Sequence, residues 1–271
     1  EFDWRGFLSE YRDGAIFDEV QHVPDLLSYL QEIVDFDTRT GRFVLTSSQN
    51  FLFTTVVSQS LAGRVGHVTL LPLSYDELGG SMPLDQALLQ GGFPRLHSYA
   101  IPTTTFYADY LTTYVERDIR QIKSIDKLSQ FQNFIRLCAG RIGQVVNFTA
   151  LAQDAGVSNV TAQAWLTILQ ASYIVFLIPP YHTNFNKRLV KAPKLYFYDT
   201  GLAAALLEIE TPSRMALDKA RGYLVENFVA LELLKARANA GKSQRMYFWR
   251  DYKGHEVDLV VEWGGTLKRL K

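Results

Sequence analysis

The fold is decided by the stretch Gly14-Ala15-Ile16-Phe17-Asp18-Glu19-Val20, an apolar run that ends in two acids. The run predicts a buried strand, and the helically spaced apolar residues after Pro24 predict a helix that begins near that proline. In open α/β sheets, ligands bind where the carboxyl ends of the strands meet. Asp18 and Glu19 are therefore the first candidate site residues of the chain.

Two further strands are predicted downstream. Residues 41–48 form an apolar run that ends in hydroxyl side chains, and residues 65–71 form a third run that a proline stops. A predicted helix over residues 49–62 separates these two runs. The alternation of strands and helices predicts a parallel α/β sheet over residues 1–78.

Beyond residue 78 the pattern changes. Residues 79–105 are rich in Gly, Pro and Ser and are predicted to be a linker, and residues 106–205 are mainly helical. Within them, a helix, a glycine-containing turn and a second helix precede two strands, which is the pattern of a winged helix. The tip between these strands holds three cations, Lys187, Arg188 and Lys191.

Composition limits the classes of function. The 271 residues carry 28 Lys and Arg against 28 Asp and Glu, so no global basic field favours nucleic acid. The single cysteine excludes a disulfide framework within the chain and favours a reducing compartment. No apolar run approaches the roughly 20 residues that a membrane span needs. We therefore expect a cytoplasmic protein that does not cross a membrane.

The residues at the predicted strand ends suit nucleotide chemistry. Asp18 can hold Mg²⁺ through water, Glu19 can orient an attacking water, and the polar tip from Thr46 to Gln49 can sense a γ-phosphate. Arg64 is a candidate cation for phosphate charge or for an intersubunit contact. Plainer alternatives stay open: acids solvated before a helix, Thr46 as a helix cap, and Arg64 as a surface residue.

Four segments together resemble a prokaryotic AAA-type P-loop ATPase family, from its Walker B strand onward. They are residues 15–21 with Pro24, Leu26 and Leu27; residues 42–49; residues 58–65 leading to 70–74; and residues 91–95. The resemblance implies that Asp18 and Glu19 are the Walker B acids and that Thr46 to Gln49 end the sensor strand. It also implies ATP and Mg²⁺ as cofactors and leaves open a homo-oligomer with Arg64 acting in trans.

The chain departs from this family in two places. Ser47 stands where the family strand usually has glycine, which restricts the backbone slightly. The glycine-rich loop that ends in Lys and Ser or Thr, expected upstream of Asp18, does not occur in this sequence. We therefore expect that ATP hydrolysis belongs to a longer parent protein, and that this chain alone is inactive.

The predicted winged helix allows two kinds of partner. A DNA-binding interpretation places polar residues of the second helix in the major groove and the three tip cations on phosphates. That helix, however, has no Lys or Arg between Asn159 and Gln170. The pattern favours a protein-interaction module, with DNA binding as the close alternative.

Three acids near the end of the chain form a second candidate site. Glu226 and Glu232 lie on a predicted amphipathic helix, and Asp258 lies on the second of two strands. By spacing alone, scattered surface acids are the simpler interpretation. The segments also resemble the C-terminal domain of unknown function that accompanies these ATPases, which ends like a PD-(D/E)xK nuclease core. That resemblance implies metal ligation by these acids. The Glu-x-Lys motif of the next strand does not occur here, so we expect no nuclease activity.

The sequence thus predicts a partial α/β P-loop NTPase core with a parallel sheet over residues 1–78. An all-α and winged-helix unit and a small α+β nuclease-like unit, residues 206–271, are expected to follow. The predicted function is an ATP-binding and ATP-hydrolysing AAA-type protein whose nucleotide state switches its C-terminal region. The alternative is a non-catalytic adaptor that binds DNA or protein through the winged helix.

Overall fold

The computed structural model describes residues 2–37, 39–47, 60–114, 128–182, 192–251 and 253–270. The chain divides into two compact units, Glu1–His67 and Val68–Lys271. Within the described residues, no helix is both long enough and apolar enough to cross a bilayer.

The first unit is a small parallel sheet with helices. In chain order it contains α1 (Trp4–Ser9), β1 (Ala15–Phe17), a 3₁₀ turn (Val20–His22), α2 (Asp25–Phe36) and β2 (Phe43–Leu45). β1 and β2 are parallel neighbours, with Ile16 opposite Val44, and α2 begins directly after Pro24 as predicted. The core of this unit consists of Leu8, Val20, Leu26, Leu27, Leu30 and Leu61.

One face of this sheet differs from the prediction of buried strands. Phe17, Phe43 and Leu45 pack against the core, whereas Ile16 is 73% exposed and Val44 is 49% exposed. Parallel strands normally have apolar cover on both faces. Among the described residues only one face of this sheet is covered, so the prediction of fully buried strands is wrong for the other.

The predicted third strand is also wrong. Residues 65–71 form no strand in the structure, and the side chains of Val68 and Leu70 are exposed. An apolar run becomes a strand only when its backbone N–H and C=O groups find a neighbouring strand, and no described strand pairs with this segment. Most of the predicted helix at 49–62 lies outside the described residues.

The second unit is mainly helical. Its described helices are α3 (Leu84–Gln90), α4 (Pro94–Ser98), α5 (Thr103–Tyr114), α6 (Leu128–Ala139), α7 (Phe148–Ala155), α8 (Asn159–Ala171), α9 (Thr200–Leu206), α10 (Pro212–Leu217) and α11 (Arg221–Asn239). The segment predicted as a linker, residues 79–105, includes α3 and α4, and Leu88 within it is fully buried in the main core. Cys138 lies in the same core, and burial raises the pKa of its thiol to about 12.

The helix-turn-helix has well-defined ends. The Asn147 side chain caps α7 by accepting from the Ala150 N–H, and the Ser158 hydroxyl caps α8 by accepting from the Thr161 N–H. Gly156 closes α7 in the left-handed conformation that favours glycine. The strands β3 (Val175–Ile178) and β4 (Lys194–Phe197) follow as an antiparallel pair. The element order matches the prediction, while its interpretation as a winged helix stays a prediction. The tip with Lys187, Arg188 and Lys191 lies outside the described residues.

The chain ends in an antiparallel sheet of β5 (Met246–Arg250), β6 (Glu256–Trp263) and β7 (Thr266–Leu270), in that spatial order. The pairing of β5 with β6 shifts between Tyr247 and Trp249, whose partners are Val260 and Val257. β6 therefore contains one more residue than β5 at this point, which is a β-bulge. Asp258 and Leu259 lie at this bulge, where Asp258 contacts Lys194 and Leu259 packs with α11.

Candidate functional site

The ends of β1 and β2 bring two predicted site residues together. Asp18 follows β1 and Thr46 follows β2, and because the strands are parallel both lie at the carboxyl edge of the sheet. The Thr46 hydroxyl donates a hydrogen bond to Asp18 Oδ1. The same hydroxyl oxygen lies 3.3 Å from the Glu19 backbone nitrogen and accepts from it. Thr46 thus links both acids across the strands.

Backbone hydrogen bonds hold this strand end in place. The Thr46 nitrogen donates to the Phe17 carbonyl at 2.9 Å, and the Val20 nitrogen donates to the Thr46 carbonyl at 3.1 Å. Between them Glu19 adopts the left-handed conformation, with φ of 55° and ψ of 44°. Such a conformation is uncommon for a non-glycine residue and is found disproportionately at functional sites. The carboxylate of Asp18 stays exposed to solvent.

Arg64 lies in an ion pair within the first unit. Its guanidinium binds Asp35 of α2 through two nitrogens, one of them 3.0 Å from Asp35 Oδ2. The hydrogen bond from Arg64 lowers the pKa of the Asp35 carboxyl. The role of Arg64 as a cation for phosphate or for a neighbouring subunit stays a prediction. Gln49 lies outside the described residues.

A second group of charges surrounds one buried lysine of the second unit. The Lys194 side chain, on β4, is only 4% exposed. Its Nζ lies 3.0 Å from Glu226 Oε1 on α11, 2.5 Å from Glu256 Oε1 and 3.4 Å from Asp258 Oδ1. Glu256 and Asp258 lie two residues apart on β6, a spacing that places strand residues on one face. We call these four residues the carboxylate–lysine cluster.

The environment keeps the lysine charged. Burial works to lower the pKa of Lys194, but the hydrogen bond to Glu256 and the charge of Glu226 outweigh it, so the pKa is raised. The Tyr196 hydroxyl donates to Glu226 Oε1 at 2.6 Å, and burial raises the pKa of this phenol. The cluster therefore holds one ammonium and three carboxyl groups. The cation that these carboxyl groups bind is the protein's own Lys194 ammonium.

A metal ion does not fit this cluster as it stands. The Lys194 ammonium lies between Glu226 and Asp258, where a metal would have to bind both. Across the part of the chain that the structure describes, no group of three or more His, Cys, Asp or Glu residues is arranged to hold a metal. Glu232 lies elsewhere on α11, where it accepts from the Tyr75 N–H and pairs with Lys235. At the first unit, by contrast, Asp18 and Thr46 present the hard oxygen atoms that Mg²⁺ prefers.

Sequence reasoning missed three members of the cluster's environment. Glu256 lies two residues from Asp258, a predicted metal ligand. Lys194 and Tyr196 lie on β4, which the sequence predicts to be a strand of the wing and not part of a site. A signal for Lys194 was present, because a lysine in the short apolar strand Lys-Leu-Tyr-Phe is uncommon unless it is paired.

Asp199 is a further buried acid that the sequence did not reveal. It accepts hydrogen bonds from the Gly92 N–H at 2.7 Å, the Tyr107 hydroxyl at 2.7 Å and the Leu202 N–H at 2.8 Å. Burial raises its pKa, and these hydrogen bonds act in the opposite direction. Asp199 caps α9 and ties it to the segment after α3, so it joins three parts of the second unit.

Three family models match separate parts of the chain. Residues 3–79 match an AAA domain, residues 82–213 match a domain of unknown function (DUF8612), and residues 221–268 match another (DUF4143). The matches support an AAA-type family with a domain of unknown function at its C-terminal region. Asp18 and Thr46 lie in the AAA match, whereas the carboxylate–lysine cluster joins the other two.

The chain is also similar to uncharacterized proteins of Mycobacterium bovis (strain ATCC BAA-935 / AF2122/97) and Mycobacterium tuberculosis (strain ATCC 25618 / H37Rv). Each is 32% identical over 252 residues, which cover 92% of this chain and 56% of the relative. The chain thus spans little more than half the length of these curated relatives. No solved structure matches it.

Proposed function

We propose that the protein is an AAA-type ATPase whose first unit supplies the acidic and sensing edge of a Mg²⁺–ATP site. The observation that carries this proposal is the hydrogen bond between Thr46 and Asp18 at the carboxyl ends of two parallel strands. The AAA match over residues 3–79 supports the same class.

Each residue of this edge has a proposed role. Asp18 would hold Mg²⁺ through water, and Thr46 orients the Asp18 carboxylate through its hydroxyl. Bound Mg²⁺ would neutralise phosphate charge. Glu19 would orient the attacking water, and Gln49 would report the γ-phosphate. Arg64 would reach the phosphates of a second subunit after leaving Asp35, which requires a homo-oligomer.

The phosphate-binding part of the site must come from elsewhere. The 271 residues contain no Gly-rich loop ending in Lys-Ser or Lys-Thr, whose N–H groups and lysine normally cradle the phosphates. We therefore expect no ATP turnover from this chain alone. In a longer protein with such a loop, nucleotide state would switch the C-terminal region.

Turnover of ATP by the longer protein tests the proposal. Asp18→Asn should lower Mg²⁺-dependent turnover by about tenfold or more, since it removes the carboxylate charge that holds the metal. The matched control is Asp13→Asn, which changes an exposed acid of the same unit. Equal turnover by wild type and Asp18→Asn would rule out the assigned role.

A second function, as an adaptor, has one observation in its favour. The exposed residues of α8 are all uncharged, namely Asn159, Val160, Gln163, Ala164 and Thr167, and Val160 is 77% exposed. Thr161 is one of the polar residues of this helix that the DNA-binding interpretation places in the groove, and its hydroxyl lies 2.8 Å from the Ser158 hydroxyl. An uncharged face suits a protein partner better than the phosphates of DNA.

Binding to short duplex DNA separates the two kinds of partner. If DNA is the partner, affinity should fall with salt, and replacing Lys187, Arg188 and Lys191 by Ala should reduce that slope. Salt-independent or undetectable binding would leave the protein-interaction role. We propose no nuclease chemistry for Glu226, Glu232 and Asp258. Glu226 and Asp258 both bind the Lys194 ammonium, and Glu232 lies outside the carboxylate–lysine cluster.

A further inference from the structure

A segment without helix or strand, residues 69–75, contacts several elements of the second unit. The Thr69 hydroxyl lies 3.4 Å from the Tyr173 hydroxyl, and Leu71 packs into the core beneath the terminal sheet. The Leu73 nitrogen donates to the Gly92 carbonyl at 2.7 Å. We call this segment the strap. It lies in the last part of the AAA match, directly after the residues of the first unit.

Two charged residues of α11 hold the strap by its backbone. Lys235 Nζ donates to the Leu73 carbonyl oxygen at 2.7 Å, and Glu232 Oε2 accepts from the Tyr75 nitrogen at 2.9 Å. The two side chains also pair with each other at 2.9 Å. The Tyr75 ring packs edge-on against Phe228, one turn earlier on α11.

The burial of Lys235 indicates that this contact is specific. Its side chain is only 5% exposed, and lysine is rarely buried unless it is paired. An apolar side chain of similar length would fill the same space without the cost of desolvating an ammonium. What the ammonium adds is a directed bond to one carbonyl oxygen, which fixes the register of the strap on the helix.

The same helix reaches the carboxylate–lysine cluster. Glu226 binds Lys194, and the Asn227 side chain pairs with both the nitrogen and the oxygen of Phe197 on β4. At 1.5 Å per residue, Glu226 and Lys235 are about 14 Å apart along the helix axis. An unbroken helix of this length moves as a rigid element, so displacement at one end is felt at the other.

We propose that Glu232 and Lys235 are positioning residues that couple the strap, and with it the AAA part, to the carboxylate–lysine cluster. The coupling rests on the function proposed above. When nucleotide binding shifts the chain that enters the strap, Lys235 and Glu232 pass the shift to α11. The helix then moves Glu226 relative to Asp258 and Glu256 on β6.

Hydrogen exchange in the longer protein tests this coupling. Amide exchange along β6 is measured with and without the Mg²⁺ complex of a non-hydrolysable ATP analogue, in wild type and in Lys235→Met. We expect wild type to show a nucleotide-dependent change of about tenfold in β6, which Lys235→Met loses while its affinity for the analogue stays within about twofold. Lys235→Arg, which keeps a cation, should retain the change, as should the exposed control Lys219→Met.

The outcomes separate the two proposals. If the analogue binds but β6 responds equally in wild type and Lys235→Met, or does not respond in wild type, the coupling is wrong and the ATPase proposal stands. If the analogue does not bind wild type, the ATPase proposal fails and the coupling fails with it. Should Lys235→Met not fold, the pair Glu232→Gln with Lys235→Met, which leaves no unpaired charge, gives the same comparison.

Discussion

Asp199 shows how one side chain can hold three parts of a unit together. It accepts from two backbone nitrogens and the Tyr107 hydroxyl while fully buried. Asp199→Asn replaces one of the two accepting oxygens by an amide N–H₂ group. At that position a donor then faces a donor, and the hydrogen bond is lost. We expect a loss of about 1–3 kcal/mol in the free energy of unfolding, measured by urea denaturation. A variant as stable as wild type would contradict this.

The same carboxyl predicts a dependence on pH. Burial raises its pKa, so the folded state binds the proton more tightly than the unfolded state does. The stability that Asp199 contributes is therefore greatest at low pH and falls as pH rises from about 4 towards the raised value. The stability difference between wild type and Asp199→Asn should shrink over that window, whereas the difference for Gly79→Ala, which changes no titratable group, should not. A difference that is constant with pH would contradict the assignment.

Gly91 illustrates a steric requirement at the same place. A Cβ atom there would overlap the Tyr107 hydroxyl and the Asp199 carboxylate, and the residue has φ of 65°. Gly91→Ala should cost about 2–4 kcal/mol in thermal or urea denaturation. Gly79→Ala is the control, since Gly79 also has positive φ but nothing lies near its would-be Cβ. It isolates the backbone cost, about 1–2 kcal/mol.

How far the sequence predicts a site depends on the distance that the chain must bridge. The meeting of Asp18 with Thr46 follows from the rule that parallel strands end at one edge. The meeting of Lys194 with Asp258 brings together strands of two different sheets, from residues 64 positions apart in the chain, which no local pattern encodes. Helical geometry does explain why Glu232 lies outside the cluster. It follows Glu226 by six residues, which at about 100° per residue places it about 120° around α11 from Glu226.

At the scale of the elements, one buried amide joins α11 to β4 beside the contacts that Glu226 makes with Lys194 and Tyr196. The Asn227 side chain accepts from the Phe197 nitrogen at 2.6 Å and donates to its oxygen at 3.0 Å, as a neighbouring strand would. Asn227→Leu leaves both backbone groups buried and unpaired. We expect a loss of roughly 2–5 kcal/mol in the free energy of unfolding, with the helix content of the folded protein unchanged. The exposed residue Asn239 of α11, changed to Leu, is the control. A loss below 1 kcal/mol would contradict the role of Asn227.

Element types were predicted better than their surroundings. Helix α2 and the pair α7 and α8 follow from caps and periodicity that lie within a few residues of each other. The burial of β1 and the pairing of residues 65–71 depend on what other segments place beside them. The hydrophobic run at residues 14–20 therefore predicts a strand correctly. It does not predict whether another segment will pack over the Ile16 side chain.

At the scale of the whole molecule, the two units should differ in stability. A domain of about 60 residues buries roughly 60% of the surface that its unfolded chain exposes, against about 70% for one of 150 or more. The protein has four tryptophans, of which Trp4 alone lies in the first unit and Trp165 lies in the main core of the second. Two variants are compared, one that keeps Trp4 as its single tryptophan and one that keeps Trp165. The tryptophan fluorescence of the Trp4 variant should give a lower urea midpoint than that of the Trp165 variant. Coincident midpoints would show that the units unfold together.

The single cysteine has a practical consequence. Cys138 is fully buried in the main core, and its thiol has a pKa of about 12. Only a thiolate reacts quickly with alkylating agents, so the native thiol is shielded by both burial and protonation. Modification by iodoacetamide should therefore proceed only as fast as the second unit opens. The rate of this modification therefore measures that opening without an engineered probe, because Cys138 is the one cysteine of the natural sequence.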